Sequence, residues 1–183
     1  MQELSLHILD IIQNSVRANA TKIELNVTEN PKSDQYLIEI NDNGCGVDKE
    51  TLELLCDPFF TTRTTRKVGM GISLFKHSAE QTGGTVEITS EAGKGTSLTA
   101  SFSYSHIDRP AMGDIAGTMT LLIASYPQIH FIYNHHTPIS DFEFDTNEVK
   151  AELEGVPINN AKIIKFLKEL INDNLEMIEA NLK

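Results

Sequence analysis

Apolar residues recur at helical spacing from the first residues of the chain. Ile8, Leu9, Ile11, Ile12 and Val16 fall on one side of a helix over residues 3–19. At about 100° per residue, Asn14 and Arg17 lie within about 40° of Asp10 on the other side. One face is therefore made for a core, and the other carries a carboxylate, an amide and a guanidinium in a row. Taken alone, such a row is what any solvated amphipathic helix displays. Two alternating runs, Thr21–Thr28 and Gln35–Asn41, predict strands joined by the turn-rich stretch Glu29-Asn30-Pro31-Lys32-Ser33-Asp34. Asp48 is placed to cap a short helix through Leu55. Residues 57–68 have no periodicity and read as a loop. A helix is expected from about Gly71 to Gln81, stopped by Gly83-Gly84, followed by strands Thr85–Ser90 and Thr96–Tyr104 around the Glu91–Gly95 turn.

Beyond Ser105 the pattern predicts a helix over Ile115–Tyr126 and strands over Gln128–Asn134 and Asp141–Asp145. A short helix, Asn147–Glu154, is ended by Gly155, and a long amphipathic helix covers Asn160–Leu182. The order αββααββ of the first unit favours an α+β fold, a two-layer sandwich with a mixed sheet and helices on one face. Residues 1–104 form one expected domain, and residues 105–183 an α-β-β-α extension that packs on or beside the sheet or mediates a homodimer.

Composition narrows the function classes. The net charge of −11 over 183 residues opposes binding to nucleic acid. No run of 18 or more apolar residues appears, so no membrane segment is expected. The start runs directly into a helical pattern with no basic leader, which fits a cytoplasmic protein. Cys45 and Cys56 do not suggest a disulfide framework.

Four short motifs follow one another: Asp10-Ile11-Ile12-Gln13-Asn14, Asp42-Asn43-Gly44-Cys45-Gly46, Pro58-Phe59-Phe60-Thr61-Thr62 and Gly69-Met70-Gly71, trailed by Gly93-Lys94-Gly95-Thr96. A strand-end carboxylate before glycines suits adenine, whose exocyclic amine needs an acceptor and whose ring needs close access to backbone. An Asp-Asn-Gly turn is also a hairpin signal, but here a helical pattern follows the strand instead of a partner strand. In order and spacing, residues 1–104 resemble the GHKL family of gyrase-type ATPases, heat-shock chaperones, histidine kinases and mismatch-repair ATPases. The stretch Ser90–Ser103 is most similar to sensor histidine kinase catalytic domains.

The resemblance implies a Bergerat-type site for ATP and Mg²⁺. It makes Asp42 the adenine reader with Gly44 and Gly46, and Thr96 its neighbour. Asn14 becomes the Mg²⁺ ligand through the ATP phosphates, and Arg17 a phosphate-neutralising cation. Asp10 stands where ATP-hydrolysing members and anti-sigma-factor kinases carry a catalytic glutamate, and it is one methylene shorter. Residues 57–71 resemble the ATP lid, with Phe60, Thr62, Arg63, Arg66, Lys67, Gly69, Met70 and Gly71 meeting the nucleotide. Lys67 stands at the position of the first lid glycine, and the lid is short.

Three functions are compatible with these residues. The first is a stand-alone ATP-dependent protein kinase or regulatory ATPase acting on a partner protein. The second is a non-catalytic ATP-responsive binding module, and the third a DNA-repair or topoisomerase-type ATPase fragment, which the acidic charge disfavours. Among the histidines, Ser105-His106-Ile107-Asp108-Arg109-Pro110 loosely resembles a phosphoacceptor box but reads equally as a strand-to-helix connection. His7 reads as ordinary surface or core, and His135-His136 as surface.

Overall fold

The computed structural model describes residues 3–48, 52 and 71–182. Helix α1 (Leu4–Arg17) leads into β1 (Lys22–Asn30) and β2 (Gln35–Asp42). Then come α2 (Gly71–Gln81), β3 (Val86–Glu91) and β4 (Gly95–Ser103). The second half supplies α3 (Ile115–Ser125), β5 (His130–His136), β6 (Asp141–Asp145), α4 (Thr146–Glu152) and α5 (Ala161–Met177). The loop over 57–68 and nearly all of the short helix after Asp48 lie outside the described residues; of that helix, only the bond from the Leu52 N–H to the Asp48 carbonyl (3.0 Å) falls within them.

The fold is α+β, and one six-stranded sheet in the order β3-β4-β2-β1-β5-β6 runs through it. Every pairing is antiparallel except β1 with β5, which is parallel. Because a strand alternates its side chains, one sheet face collects Ile23, Leu25 and Val27, then Tyr36, Ile38 and Ile40, then Leu98, Ala100 and Phe102, then Phe131 and Tyr133. Helices α1, α2, α3 and α5 pack over this face in one continuous core. The opposite face carries Glu24, Asn26, Glu39, Asn41, Ser97 and Thr99. Residues 105–182 thus continue the sheet of the first half at its β1 edge. Among the described residues no helix is long and apolar enough to cross a membrane.

Pairing moves several strand ends from where alternation alone puts them. β1 runs on into the turn-rich stretch as far as Asn30, because Glu29 and Asn30 pair with Tyr36 and Gln35. β5 starts at His130 and reaches His136, the span that matches Lys22–Thr28 in the parallel ladder. The α1 start has no side-chain cap. Its first N–H groups are instead taken by the extension: Leu4 and Ser5 donate to the carbonyls of Ala111 and Met112, each at 2.9 Å.

The histidines divide by strand face. His136 is half-exposed and pairs with Asp141 at 3.0 Å. His135 is not at the surface: it is fully buried, opposite Val27 in the parallel ladder and on the core face. Its Nε2 lies 2.8 Å from Glu29 Oε1 and its Nδ1 2.7 Å from the Tyr133 hydroxyl. Glu29 also accepts from the Asn181 N–H at 2.7 Å, which ties the C-terminal residues to β1. His7 is buried in the core, its ring centroid 5.4 Å from that of Phe75, and burial pushes its pKa down. Arg109 fastens the 104–110 connection: its Nε donates to the Tyr104 carbonyl at 3.1 Å and its guanidinium lies 4.5 Å over the Tyr36 ring.

Candidate nucleotide site

The site grows from the C-terminal end of β2. Asp42 continues the Tyr36, Ile38, Ile40 row, so its carboxylate points to the helical side of the sheet. There it meets three donors. The Ser15 hydroxyl of α1 donates to Oδ2 at 2.6 Å, while the Gly44 N–H and the Thr96 N–H donate to Oδ1 at 2.9 and 3.3 Å. Thr96 faces Asp42 directly in the β2–β4 ladder, and its hydroxyl is 2.9 Å from that of Ser90. The Ser90 hydroxyl in turn accepts from the Val47 N–H at 2.9 Å. A carboxylate has about four acceptor directions, so one remains for a further donor.

The glycines of the 42–46 loop are required by backbone packing. Gly46 has φ +58, and a Cβ there would strike the Glu91 carbonyl of the β3–β4 hairpin. Cys45 fastens the same loop to the end of α1 by donating its N–H to the Ala18 carbonyl at 2.8 Å. Asn43 closes it from the other side: its Oδ1 accepts from the Thr21 and Lys22 N–H groups at 2.9 and 2.8 Å. The 42–46 loop is therefore held between α1, β1 and the β3–β4 hairpin.

The polar row of α1 lies beside this loop. Asn14 and Arg17 are exposed, and Arg17 Nη1 donates to Asn14 Oδ1 at 2.9 Å. Asp10 packs against the first residue of α2, where a Cβ on Gly71 would come within 3.2 Å of the Asp10 Cβ and 3.5 Å of its Oδ2. The positive end of the α2 dipole is thus brought to the Asp10 carboxylate. Of the expected site residues, Asp10 lies against Gly71, Asn14 is bonded to Arg17, Asp42 is bonded to Gly44 and Thr96, and Gly46 packs on the Glu91 carbonyl. Phe60, Thr62, Arg63, Arg66, Lys67, Gly69 and Met70 lie outside the described residues.

Ser15 belongs to the site and was not singled out from the sequence, although one signal was there. On the α1 wheel it falls among Ile8, Ile11 and Ile12, and a hydroxyl on an apolar face must find a partner. Replacing Ser15 with alanine removes one of three bonds holding Asp42. An ATP affinity about fivefold lower is expected, the equivalent of about 1 kcal/mol. Calorimetry at matched Mg²⁺ checks this; an unchanged affinity would mean that Asp42 needs no such support.

Residues 2–106 match the family described as Histidine kinase-, DNA gyrase B-, and HSP90-like ATPase, which is more than half of the chain. The chain belongs to that family. Its similarity extends to sensor kinases: 37% identity over 87 residues to Sensor kinase CckA of Brucella abortus, covering 47% of this chain and 9% of that protein. Signal transduction histidine-protein kinase AtoS of Escherichia coli is 32% identical over 93 residues, covering 50% of this chain and 15% of that protein. Sensor histidine kinase ZraS of the same species is 28% identical over 92 residues, covering 50% and 20%. The matched region is thus a small part of these relatives. In fold, the chain is similar to the crystal structure of the N-terminal domain of a DNA repair protein, with a TM-score of 0.53 at 18% identity over 79% of this chain and 52% of that one.

Proposed function

We propose that this histidine-kinase-like ATPase domain binds Mg²⁺-ATP along the α1–β2 cleft and acts as a regulatory ATPase or protein kinase on a partner protein. The reading rests on one observation: a buried-side carboxylate fixed by three donors stands at one end of a helical row whose other end, Asp10, abuts a helix N-terminus. Asp42 offers its remaining acceptor direction to the adenine amine. Asn14 presents an exposed amide oxygen suited to Mg²⁺, which when bound neutralises charge on the phosphates. Arg17, tethered to Asn14, adds a cation on the same side. Phosphoryl transfer asks a protein chiefly for positioning and charge stabilisation. Asp10, between the amide row and the α2 start, orients an attacking water or hydroxyl and receives its proton.

Incubation with γ-labelled ATP separates hydrolysis, self-phosphorylation and transfer to a partner. Asp10→Asn is expected to lower phosphate release or transfer by about 10²–10⁴-fold while leaving ATP affinity within about twofold. Turnover equal to that of the parent would remove Asp10 from the chemistry.

A second reading is favoured by the Arg17–Asn14 bond, which sets a guanidinium cation on the amide oxygen that the metal needs and so opposes a second cation there. In that reading the domain is a non-catalytic module whose ATP-bound form alters a partner surface. Tight ATP binding with phosphate release no greater than a protein-free blank supports it.

A further inference from the structure

Helix α5 has its charges arranged against its own dipole. Lys162 and Lys165 stand in its N-terminal half, while Glu169, Asp173 and Glu176 follow toward its C-terminal end. The first turn has no acidic residue and the last turn no basic one, the reverse of what a lone helix favours. All five charged side chains are on exposed residues. The one ion pair among them, Lys165 to Glu169 at 3.9 Å, is largely solvated and runs in the weaker Lys-before-Glu direction. Lys168 takes no part, because its ammonium is engaged by Asp114 at 2.6 Å.

Beside these charges runs an uncovered apolar ridge. Phe166 and Met177 are 57% and 69% exposed, and Leu170 is partly so. At about 100° per residue these three fall within about 40° of one another. Next to the ridge, a groove of about 520 Å³ opens between α4 and α5, lined by Val149, Leu153, Ile163, Phe166 and Leu170. A large aromatic and a methionine in water beside an apolar groove mark a surface built to be covered.

We propose that α5 pairs antiparallel with α5 of a second copy of this chain. An antiparallel copy brings its acidic half alongside Lys162 and Lys165, and its basic half alongside Glu169, Asp173 and Glu176. Each helix then supplies the charges that the other's dipole lacks. All five charges lie on one side of the ridge, so the two charge rows meet along one flank of the contact while the ridges pack beside them, and the groove beside each receives the apolar side chains of the other. A parallel copy sets lysine against lysine and acid against acid, so the charge layout selects one direction. The inference does not depend on the nucleotide reading, since it uses only residues of α4 and α5.

Sedimentation of the full chain, with two charge-reversed variants, tests it. The parent is expected to dimerise reversibly. Lys162→Glu with Lys165→Glu, and separately Glu169→Lys with Asp173→Lys and Glu176→Lys, are each expected to weaken self-association about tenfold or more. Each variant should melt no lower than the parent at monomeric concentration, because the changes are at exposed positions and improve the fit to the helix dipole. An equimolar mixture of the two variants should dimerise again, since each then meets its opposite charge. Phe166→Ser should weaken association without any change in charge. A parent that stays monomeric at every concentration overturns the proposal. So does a mixture that fails to associate, which would assign the ridge to a different protein. Reversed variants that dimerise as the parent does would also overturn it.

Discussion

Replacing Asp42 with alanine is expected to weaken ATP binding by roughly 10- to 150-fold, the equivalent of about 1.5–3 kcal/mol for a lost charge-assisted hydrogen bond. Two losses combine in that figure. The adenine amine loses its acceptor, and the Ser15 hydroxyl and the Gly44 and Thr96 N–H groups lose the oxygen atoms that hold α1, the 42–46 loop and β4 together. Asp42→Asn separates the two losses. An amide keeps the volume and one acceptor oxygen but turns an NH₂ group toward a site already furnished with donors, so its ATP affinity should fall nearly as far. The parent should prefer ATP to GTP, because guanine presents a carbonyl where adenine presents its amine, and a buried acceptor facing an acceptor is costly. Titration calorimetry of parent and variants with both nucleotides gives the answer. Equal ATP affinity across all three proteins would remove Asp42 from base recognition.

A comparably large effect, on stability instead of binding, is expected at the other end of the sheet. His135→Ala strips the fully buried Glu29 carboxylate of an imidazole donor and leaves the Tyr133 hydroxyl without its partner. Breaking one side of such a buried pair costs about 3–5 kcal/mol. The urea midpoint should drop accordingly. The double change Glu29→Leu with His135→Leu should cost less than the single one, because no polar group is then abandoned in the core. ATP affinity measured well below the melting temperature should stay near that of the parent. Asp42 lies at the Ile23 end of the β1–β2 ladder, whereas Glu29 lies six residues further along β1. A single change that leaves the midpoint unmoved would show that Glu29 is satisfied without the imidazole.

The same contrast runs through the whole chain. Local rules found α1, because a helix needs only its own period to declare a buried face, and Ile8, Ile11 and Ile12 declare it. They also found α2 over Gly71–Gln81, since Gly83, at φ +76, ends a helix by its own backbone freedom. The Asp42 motif was legible for a similar reason: a strand end, a carboxylate and two glycines lie within five residues. Ser15 was harder to find, because its meaning depends on an oxygen 27 residues away that no period within α1 reveals. His135 was misread because a pair of histidines near a turn resembles surface. Only the parallel placement of β5 on β1 puts the first of them on the core face, 106 residues from the glutamate that satisfies it.

Within the described residues the sequence by itself therefore determined the helices, the faces of β1, β2 and β4 and the family motif, each set by side-chain period or backbone freedom over a few residues. The tertiary structure alone decided the strand order, the addition of residues 130–145 to the first unit's sheet, and the capping of α1 by the 111–112 carbonyls. It also decided which polar groups the core accepts. Those outcomes depend on which distant partner satisfies each buried donor or acceptor, and pairing energy between remote residues leaves no local trace in the order of amino acids.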